Sequence, residues 1–385
     1  MISRRNLMIF GGMVLIGGAG IAAVERAAPG AGPAGPRLVS SSEALHSAIR
    51  DGAVIRLAPG RYAGVSIRDF KGEAGLVLES ARPEDPAILE GLMVSQSSNV
   101  TLRNLRVAAG PIDPNLKSPI AVTVKNSDRV TFRGVQFKGT EAPPAVIRGY
   151  AMLLRDSREF RLEGSSFTGF RYGIGMLNSR QVTIDRNEFF SLQTDAIRGG
   201  GVNDLTVTGN IIGNFHPAPG DHPDGIQLWS ADQTESARNI VIRDNLIYRD
   251  DGGVPQGIFI RDNRNQLPFQ NVEIAGNLVI GAMYNGIALM NSNASRIVGN
   301  DVLAYPDQKS FIRIDNGNGM LLENNRSMVF AIRGTAEVNQ KNNRVAGGKK
   351  EDAPRRITEW LAARPHLTAT PGPYLSSIIA RSNPR

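Results

Sequence analysis

The chain of 385 residues is long enough for one large domain or two ordinary ones. Its net charge of +8 and pI of about 9.9 favour acidic partners such as nucleic acid, anionic lipid or acidic polysaccharide. Its basic residues are scattered singly and are not interleaved with aromatic residues, which argues against a nucleic-acid-binding stripe. The absence of cysteine excludes disulfides and thiolate chemistry.

The N-terminus carries an export pattern. Arg4 and Arg5 precede residues 7–24, which are apolar or glycine throughout. A twin arginine before such a run predicts a Tat-type signal peptide over residues 1–28 and a periplasmic or secreted protein. An uncleaved membrane anchor is the alternative, because a run of about 18 residues is just long enough to span a bilayer. Residues 29–37, rich in glycine, proline and alanine, are predicted to be a linker.

A short helix is predicted ahead of the first strands. Residues 40–43, Ser-Ser-Ser-Glu, form a capping box before the amphipathic stretch 44–49. Gly52, a strand at residues 54–57 and a Pro-Gly turn at residues 59–62 follow. A helix in this position would cover the edge of the first strand, which would otherwise be open to pairing with another chain.

One strand pattern recurs along most of the chain and is the strongest structural signal. Each copy alternates apolar and polar residues, the period of a strand with one buried face. The copies are residues 99–102, 129–132, 159–162, 181–184, 204–207, 239–242, 271–274 and 295–298. Asparagines follow several copies at separations of 23, 35, 32 and 23 residues: Asn187, Asn210, Asn245, Asn277 and Asn300. This spacing predicts a solenoid whose turn asparagines hydrogen-bond along the axis.

The departures from the base period indicate where loops are inserted. The longest insertions are residues 215–221, 249–255 and 263–269, in consecutive coils. Because insertions in a repeat protein map to one face, we expect these loops to cluster on one side and to wall a cleft.

One rung of the repeat is residues 224–229, which read Asp-Gly-Ile-Gln-Leu-Trp. Near-copies of this segment occur at residues 195–200, 256–261 and 285–290. If the apolar residues Ile226 and Leu228 point inward, Gln227 and Trp229 point outward, and equivalent residues of stacked coils form ladders. The ladder through Gln227 reads Gly175, Arg198, Gln227, Phe259, Ala288 and Arg313. The ladder through Trp229 reads Lys125, Arg155, Leu177, Gly200, Trp229, Arg261, Met290 and Asp315.

These ladders predict a substrate-binding surface. Arginine binds carboxylates through two parallel hydrogen bonds, and an indole offers a stacking platform for a sugar ring. The predicted substrate-binding residues are Lys125, Arg155, Arg198, Gln227, Trp229, Arg261 and Arg313. The alternative is an ordinary surface on which strands simply carry arginines.

The candidate catalytic residues lie on and around this rung. His222 is the predicted general base, with His216 as a partner, because histidine titrates near neutral pH. Asp195 and Asp224 occupy the same rung position one coil apart, so they could share a proton, act as a glycosidase pair or bind a cation. Solvated loop histidines and turn-capping aspartates are the structural alternatives.

The span 38–345 resembles the pectate-lyase-like superfamily of right-handed parallel β-helices, which includes polysaccharide lyases and alginate C5-epimerases. The resemblance rests on the helix followed by Gly-x-x-Ile-x-Leu-x-Pro-Gly-x-Tyr at residues 52–62 and on the rungs. It implies an all-β fold, a single-stranded right-handed parallel β-helix of roughly ten coils with an N-terminal capping helix. Epimerases carry Asp-Pro-His-Asp, whereas residues 221–224 read Asp-His-Pro-Asp, a permuted order. Residues 346–385 are predicted to be a C-terminal cap and tail, with a helix at 357–363 closing the far end and an irregular tail behind it.

The resemblance implies β-elimination or C5 epimerisation of an acidic, uronate-containing polysaccharide. His222 would remove the proton next to the uronate carboxylate, and His216 or Tyr248 would protonate the leaving oxygen. Arg198 and Arg261, or Ca²⁺ held by Asp195 and Asp224, would neutralise the carboxylate. Ca²⁺ is the only cofactor that these residues suggest.

Two other functions stay open at this stage. One is hydrolysis by Asp195 and Asp224, as in polygalacturonase-like enzymes. The other is non-catalytic binding of exopolysaccharide in the periplasm. In each case we expect a monomer with no nucleic-acid partner and no stable membrane insertion after signal cleavage.

Overall fold

The computed structural model describes residues 35–109, 119–139 and 149–382. The predicted signal peptide at 1–28 and most of the predicted linker lie outside these residues. From Arg37–Val39 to Arg344–Val345 the chain winds as a parallel β-helix. Among the described residues, no helix is both long enough and apolar enough to cross a membrane.

Each coil contributes strands to three faces, here called the first, second and third face. The first-face strands are Arg61–Arg68, Ile88–Ser95, Ile120–Lys125, Tyr150–Arg155, Tyr172–Leu177, Ile197–Gly200, Asp224–Trp229, Gln256–Arg261, Tyr284–Met290, Ser310–Asp315 and Val329–Arg333. The second-face strands are Arg37–Val39, Ala53–Leu57, Leu76–Ser80, Ser98–Arg103, Asp128–Arg133, Arg158–Glu163, Arg180–Asp185, Asn203–Thr208, Arg238–Arg243, Phe269–Ala275, Ser292–Asn293, Arg296–Val298, Met320–Glu323 and Val338–Lys341. The third-face strands are Arg106–Ala108, Gln136–Lys138, Ser166–Thr168, Glu188–Phe190, Ile211–Gly213, Leu246–Tyr248, Leu278–Ile280, Asp301–Leu303, Arg326–Ser327 and Arg344–Val345.

The coil-to-coil register is the one that the rung alignment predicts. Ile197, Ile226, Ile258 and Ile287 pair in sequence along the first face, and all four are fully buried. The interior column of isoleucines is therefore confirmed. Inside the third face, Phe137, Phe167 and Phe189 stack with centroid separations of 4.2 and 4.5 Å. These columns bury apolar surface continuously from coil to coil.

The repeated asparagines form a buried hydrogen-bonded ladder at the turn between the second and third faces. Oδ1 of Asn245 accepts from the backbone N–H of Asn210 at 3.0 Å and from its side-chain amide at 2.9 Å. The amide of Asn245 in turn donates to Oδ1 of Asn277 at 2.9 Å and to the carbonyl of Val207. The same bonds join Asn187, Asn210, Asn245, Asn277, Asn300, Asn325 and Asn343. The expected axial asparagine stack is confirmed.

The N-terminal helix Ser42–Ala48 caps the solenoid as expected. Leu45 and Ala48 are buried against the first strands. Ser41 is the capping residue, and its hydroxyl accepts from the backbone N–H of Ala44 at 3.1 Å. The helix thus begins one residue later than the predicted capping box requires, and Glu43 does not complete that box.

The C-terminal segment differs from the prediction in place and in structure. The helix Ala353–Ala362 follows a 3₁₀ turn at Lys350–Asp352 and packs on the outer surface of the third face, not on the far end. The predicted irregular tail contains two further helices, Pro365–Thr368 and Pro373–Ser382. The reason is that the third face carries apolar residues outside the solenoid, and these need cover. They are Ile211, Leu246, Leu278, Ile280 and Leu303.

The insertions are split between two turns, so the expectation of a single cluster is wrong. Residues 214–223 and 249–255 both join the third face to the first, whereas residues 262–268 join the first face to the second. Two insertions therefore lie where first-face strands begin, and the third lies where such a strand ends. Together they flank the first face from both edges.

The asparagine ladder yields a stability prediction. Replacing Asn245 by Ala leaves the buried backbone N–H of Asn210 without its acceptor and removes the amide that donates to the carbonyls of Val207 and Arg243. Because buried unsatisfied groups cost about 1–3 kcal/mol each, we expect unfolding free energy to fall by at least about 2 kcal/mol. Chemical denaturation measures this loss. Asn263→Ala, at an exposed asparagine, is the matched control; equal stabilities of the two variants would contradict the ladder's role.

Candidate functional site

The candidate site is a column of side chains at the start of the first-face strands. The pairing of Ile197 with Ile226 sets Asp195 beside Asp224 on the next coil. Oδ1 of Asp195 accepts from the backbone N–H of Asp224 at 3.1 Å. The register extends this column in both directions, so that it reads Tyr150, Tyr172, Asp195, Asp224 and Gln256.

The two carboxyls are buried but have different surroundings. Burial raises the pKa of Asp195, while the guanidinium of Arg198, 3.0 Å away, favours its ionised form. Burial, followed by the charge of Asp195, raises the pKa of Asp224 well above its usual range. Only 5% of Asp195 and 1% of Asp224 is exposed. Arg198 therefore favours ionisation of Asp195, while burial and the charge of Asp195 oppose ionisation of Asp224, an asymmetry of the kind that acid–base catalysis uses.

Arg198 is held between two aromatic rings. Its guanidinium lies 4.6 Å from the ring centroid of Tyr172 and 5.0 Å from that of Trp229. Tyr172 stacks on Tyr150 at 4.5 Å. These cation–π contacts fix the guanidinium against Asp195 and leave a half-buried aromatic surface along three coils.

Two glycines of the predicted ladders make room for this surface. A Cβ at Gly200 would lie 2.6 Å from Nε1 of Trp229, and a Cβ at Gly175 would lie 2.7 Å from Cε1 of Tyr150. Each ring therefore crosses onto the neighbouring coil where a side chain is missing. Any larger residue at either glycine would displace the ring.

Asp221 brings a third carboxylate to the site. Its two oxygens are bound by Arg171 Nη2 at 3.1 Å and by Gln193 Nε2 at 2.5 Å. Arg171 and Gln193 lie in the turns that lead into the strands of Tyr172 and Asp195. Asp221 is close enough to Asp195 to raise the pKa of that carboxyl, whereas Arg171 lowers it.

Unsatisfied polar atoms concentrate on this face. In the part of the chain that the structure describes, ten buried side-chain nitrogen and oxygen atoms have no hydrogen-bond partner. The side chain of Tyr305 belongs to the apolar cluster outside the third face, and Arg356 lies on the C-terminal helix. The other eight residues lie on the first face or in the turns leading into it: Arg171, Gln193, Arg198, Asp224, Asn285, Ser310, Arg313 and Asp315. Buried unpaired groups are costly, so water or a polar ligand on this face would supply the missing hydrogen bonds.

The predicted ladders are confirmed by the strand pairing, residue for residue. Their charges are not equally available. Arg198 and Arg313 are ion-paired with Asp195 and Asp315, and Arg155 lies 3.2 Å from Asp156. Lys125 and Arg261 are exposed, and neither has an ion pair among the described residues. Gln227 is not free either, because its amide donates to Oδ2 of Asp224.

The remaining predicted catalytic residues do not join the aspartate pair. His216 and His222 are exposed on the loop 214–223, and neither imidazole has a hydrogen bond there to Asp195 or Asp224. Tyr248 lies on the third face, where it packs on the apolar cluster beneath the C-terminal helices. Burial raises the pKa of its hydroxyl to about 12. The structure therefore separates Tyr248 from the pair.

The donor set does not fit Ca²⁺. This ion takes about six to eight oxygen ligands, whereas Asp195 is paired with a guanidinium and Asp224 with an amide N–H. Within the described ranges, no group of three His, Cys, Asp or Glu residues could hold a metal ion. The tentative metal site at Asp195 and Asp224 is not supported by these contacts.

Sequence reasoning missed five residues of the site: Tyr150, Tyr172, Arg171, Gln193 and Asp221. The two tyrosines were within reach, because extending the Asp195 column by two coils leads to them. Arg171 and Gln193 were not, since they lie in turns between strands, where the rung alignment assigns no position. Asp221 belongs to the quoted Asp-His-Pro-Asp segment, but its partners depend on the path of the loop.

Comparison with known proteins agrees with this architecture. The family model described as "Right handed beta helix region" matches residues 90–302, which is more than half of the chain. The chain belongs to this family. The predicted right-handed parallel β-helix is thereby confirmed. No curated protein matches the sequence significantly.

Several solved β-helix structures are similar to this chain. DFA-IIIase from Arthrobacter chlorophenolicus A6 without its lid is 11% identical with a TM-score of 0.50, over 76% of this chain and 83% of the other. The periplasmic alginate epimerase AlgG is 14% identical with a TM-score of 0.45, over 76% of each chain. PfbA, a surface adhesin of Streptococcus pneumoniae, is 10% identical with a TM-score of 0.49, over 79% and 91%. At such identities the similarity shows the shared fold alone.

The buried acid leads to a prediction on stability against pH. A carboxyl whose pKa is raised by folding favours the folded state below its ordinary pKa, and this contribution is lost as the pH rises through the raised value. Melting temperatures of wild type and Asp224→Asn, measured from about pH 4 to pH 8, should therefore diverge, with wild type losing stability relative to the variant. Asp85→Asn, at an exposed carboxyl, controls for charge. A constant difference across this range would mean that Asp224 is not a buried acid.

Proposed function

We propose that this β-helix protein is a carbohydrate-active enzyme that hydrolyses glycosidic bonds of an acidic polysaccharide, with Asp195 and Asp224 as its acid–base pair. The observation that carries the proposal is the pair itself, two buried carboxyls on adjacent coils, of which Asp195 is ion-paired with Arg198 and Asp224 is not. Glycoside hydrolysis requires one neutral carboxylic acid and one carboxylate near the scissile bond.

The roles follow from the surroundings of each carboxyl. Asp224 keeps its proton and gives it to the glycosidic oxygen as the bond to the anomeric carbon breaks. Asp195, ionised beside Arg198, takes a proton from water, whose oxygen bonds to the anomeric carbon. The gain of water balances the reaction and yields one new reducing end per bond cleaved.

The surface around the pair supports a sugar chain as the ligand. The half-buried rings of Tyr150 and Trp229 border the pair, and sugar rings stack on such aromatic side chains. Tyr172 lies between Tyr150 and Arg198 and supports both. The unpartnered donors and acceptors along the first face match hydroxyl groups, which both donate and accept. Lys125 and Arg261, exposed on the Trp229 ladder without ion pairs among the described residues, favour an acidic chain.

β-Elimination or C5 epimerisation of a uronate is the second candidate, and these two exposed cations favour it as well. Here His222 is the base, since it is exposed on the loop that leads into Asp224. This candidate is weaker because Arg198, the cation nearest the pair, is already neutralised by Asp195. A carboxylate of the substrate would have to compete for it.

Two variants separate the candidates. Alginate, polygalacturonate and glucuronan are assayed together for new reducing ends and for the ultraviolet absorbance of an unsaturated product. In a hydrolase, Asp224→Asn should lower reducing-end release by about two to four orders of magnitude, with little effect of His222→Ala. In a lyase, His222→Ala should abolish the absorbance and Asp224→Asn should have the smaller effect.

The exposed Asp204 of the second face provides the control substitution Asp204→Asn, which should leave both signals unchanged. Full activity of the Asp224→Asn variant on every substrate that wild type cleaves would refute hydrolysis by this pair. Binding of a polysaccharide without either signal would instead identify a non-catalytic binding protein.

We also propose export to the periplasm or beyond by the Tat route, on the basis of Arg4, Arg5 and the apolar run at residues 7–24. Changing both arginines to lysine should leave the precursor in the cytoplasm. Fractionation and immunoblotting measure this, with Arg37→Lys as control. Normal export of the double variant would contradict the Tat assignment.

A further inference from the structure

The Asp221 carboxylate sits in a cradle that binds both of its oxygens. Oδ1 faces the Arg171 guanidinium at 3.1 Å, and Oδ2 accepts from the Gln193 amide at 2.5 Å. A guanidinium and an amide presented to the two oxygens of one carboxylate form a receptor for that group.

The residues that form the cradle and the residue that occupies it belong to different parts of the fold. Arg171 and Gln193 lie in short turns of consecutive coils, which are joined by backbone bonds from Gln193 N to Phe170 O and from Thr194 N to Arg171 O. Asp221 lies instead on the long loop 214–223. Its neighbours Gly220 and His222 are exposed. The cradle is part of the solenoid, whereas its occupant is carried by an inserted loop.

Asp221 does not satisfy the cradle completely. Nε of Arg171 and Oε1 of Gln193 are buried and have no partner, and Gln193 is only 5% exposed. One donor and one acceptor therefore remain after the carboxylate is bound. A uronate residue supplies a carboxylate together with hydroxyl groups on the same ring, which could use both remaining atoms.

We infer that Arg171 and Gln193 form a receptor for the carboxylate of an acidic sugar, and that Asp221 occupies it when no sugar is bound. The inference rests on the proposed function, because the receptor adjoins the same site. The Arg171 guanidinium lies 5.3 Å from the Tyr172 ring centroid. A sugar bound there lies beside the tyrosine stack and next to Asp195.

Exchange of one carboxylate for the other also affects access to the acid. Asp221 is three residues before Asp224, whose side chain is almost wholly covered. Release of Asp221 moves the segment that leads directly into Asp224. An acidic sugar thereby opens the site that cleaves it, while a neutral sugar leaves the loop in place.

Calorimetric titration of the full chain with trimers of galacturonate and of mannuronate tests the inference, with maltotriose as the neutral sugar. Asp221→Ala should bind an acidic trimer about tenfold more tightly, because the internal competitor is removed. Arg171→Gln should weaken that binding by about tenfold, and the double variant should gain nothing from the loss of Asp221. Asp221→Asn, which keeps the shape of the side chain, should show the same gain and serves if the alanine variant fails to fold.

Glu235→Ala removes an exposed acid from another loop and should leave the affinity unchanged. The inference is overturned if Asp221→Ala binds neither acidic trimer more tightly than wild type. An equal gain for maltotriose overturns it too, since the loop would then be a simple obstruction. Turnover by the Asp224→Asn variant is measured separately from sugar binding. The proposal of hydrolysis can therefore be refuted while the proposal of a carboxylate receptor is supported, or the receptor refuted while hydrolysis is supported.

Discussion

The buried asparagine ladder is the constraint on which the site depends. Asp195 and Asp224 meet only because their coils stack in one register, although Asn187 and Asn210 are 23 residues apart and Asn210 and Asn245 are 35 apart. The ladder bonds are the same across both separations. The extra residues of the longer coil are therefore placed in loops, outside the stacked strands. One of these loops carries Asp221 to Arg171 and Gln193. The fixed register thus aligns Asp195 with Asp224 and also leaves the loop that adds a third carboxylate to the site.

Residues within the strands could be predicted from the sequence, and residues beyond them could not. The alternation of Ile226 with Gln227 sets the direction of every side chain in a rung, and stacking then fixes both ladders by counting. Loops have no such period, so the placement of Asp221 against Arg171 depends on a path that counting does not give. The C-terminal helices were misplaced for a related reason. Their position is set by the apolar outer surface of the third face. The strands of that face are mostly three residues long, too short for the sequence pattern to show that their outer side is apolar.

A ladder also does not tell which of its charges are free. Arg198 and Arg313 lie on one ladder and Arg261 on the other, and the alignment points all three outward, yet only Arg261 lacks an acidic partner among the described residues. Arg198 is committed because Asp195 lies three residues before it, just ahead of the strand Ile197–Gly200. Gly200 then allows Trp229 to cross over and hold the guanidinium from the other side. An outward arginine thus belongs to the wall of the site and not to its exposed surface.

The charges of the cluster explain why it holds a proton. Three carboxyls, Asp195, Asp221 and Asp224, face two guanidiniums, Arg171 and Arg198. A buried excess negative charge is costly, so the cluster favours a proton on the least compensated carboxyl, which is Asp224. If the carboxylate of a sugar takes the place of the Asp221 carboxylate beside Arg171, the number of buried charges in the cluster stays the same. In the proposed hydrolysis, binding of an acidic sugar therefore leaves the preference for a proton on Asp224 unchanged, as its role as the acid requires.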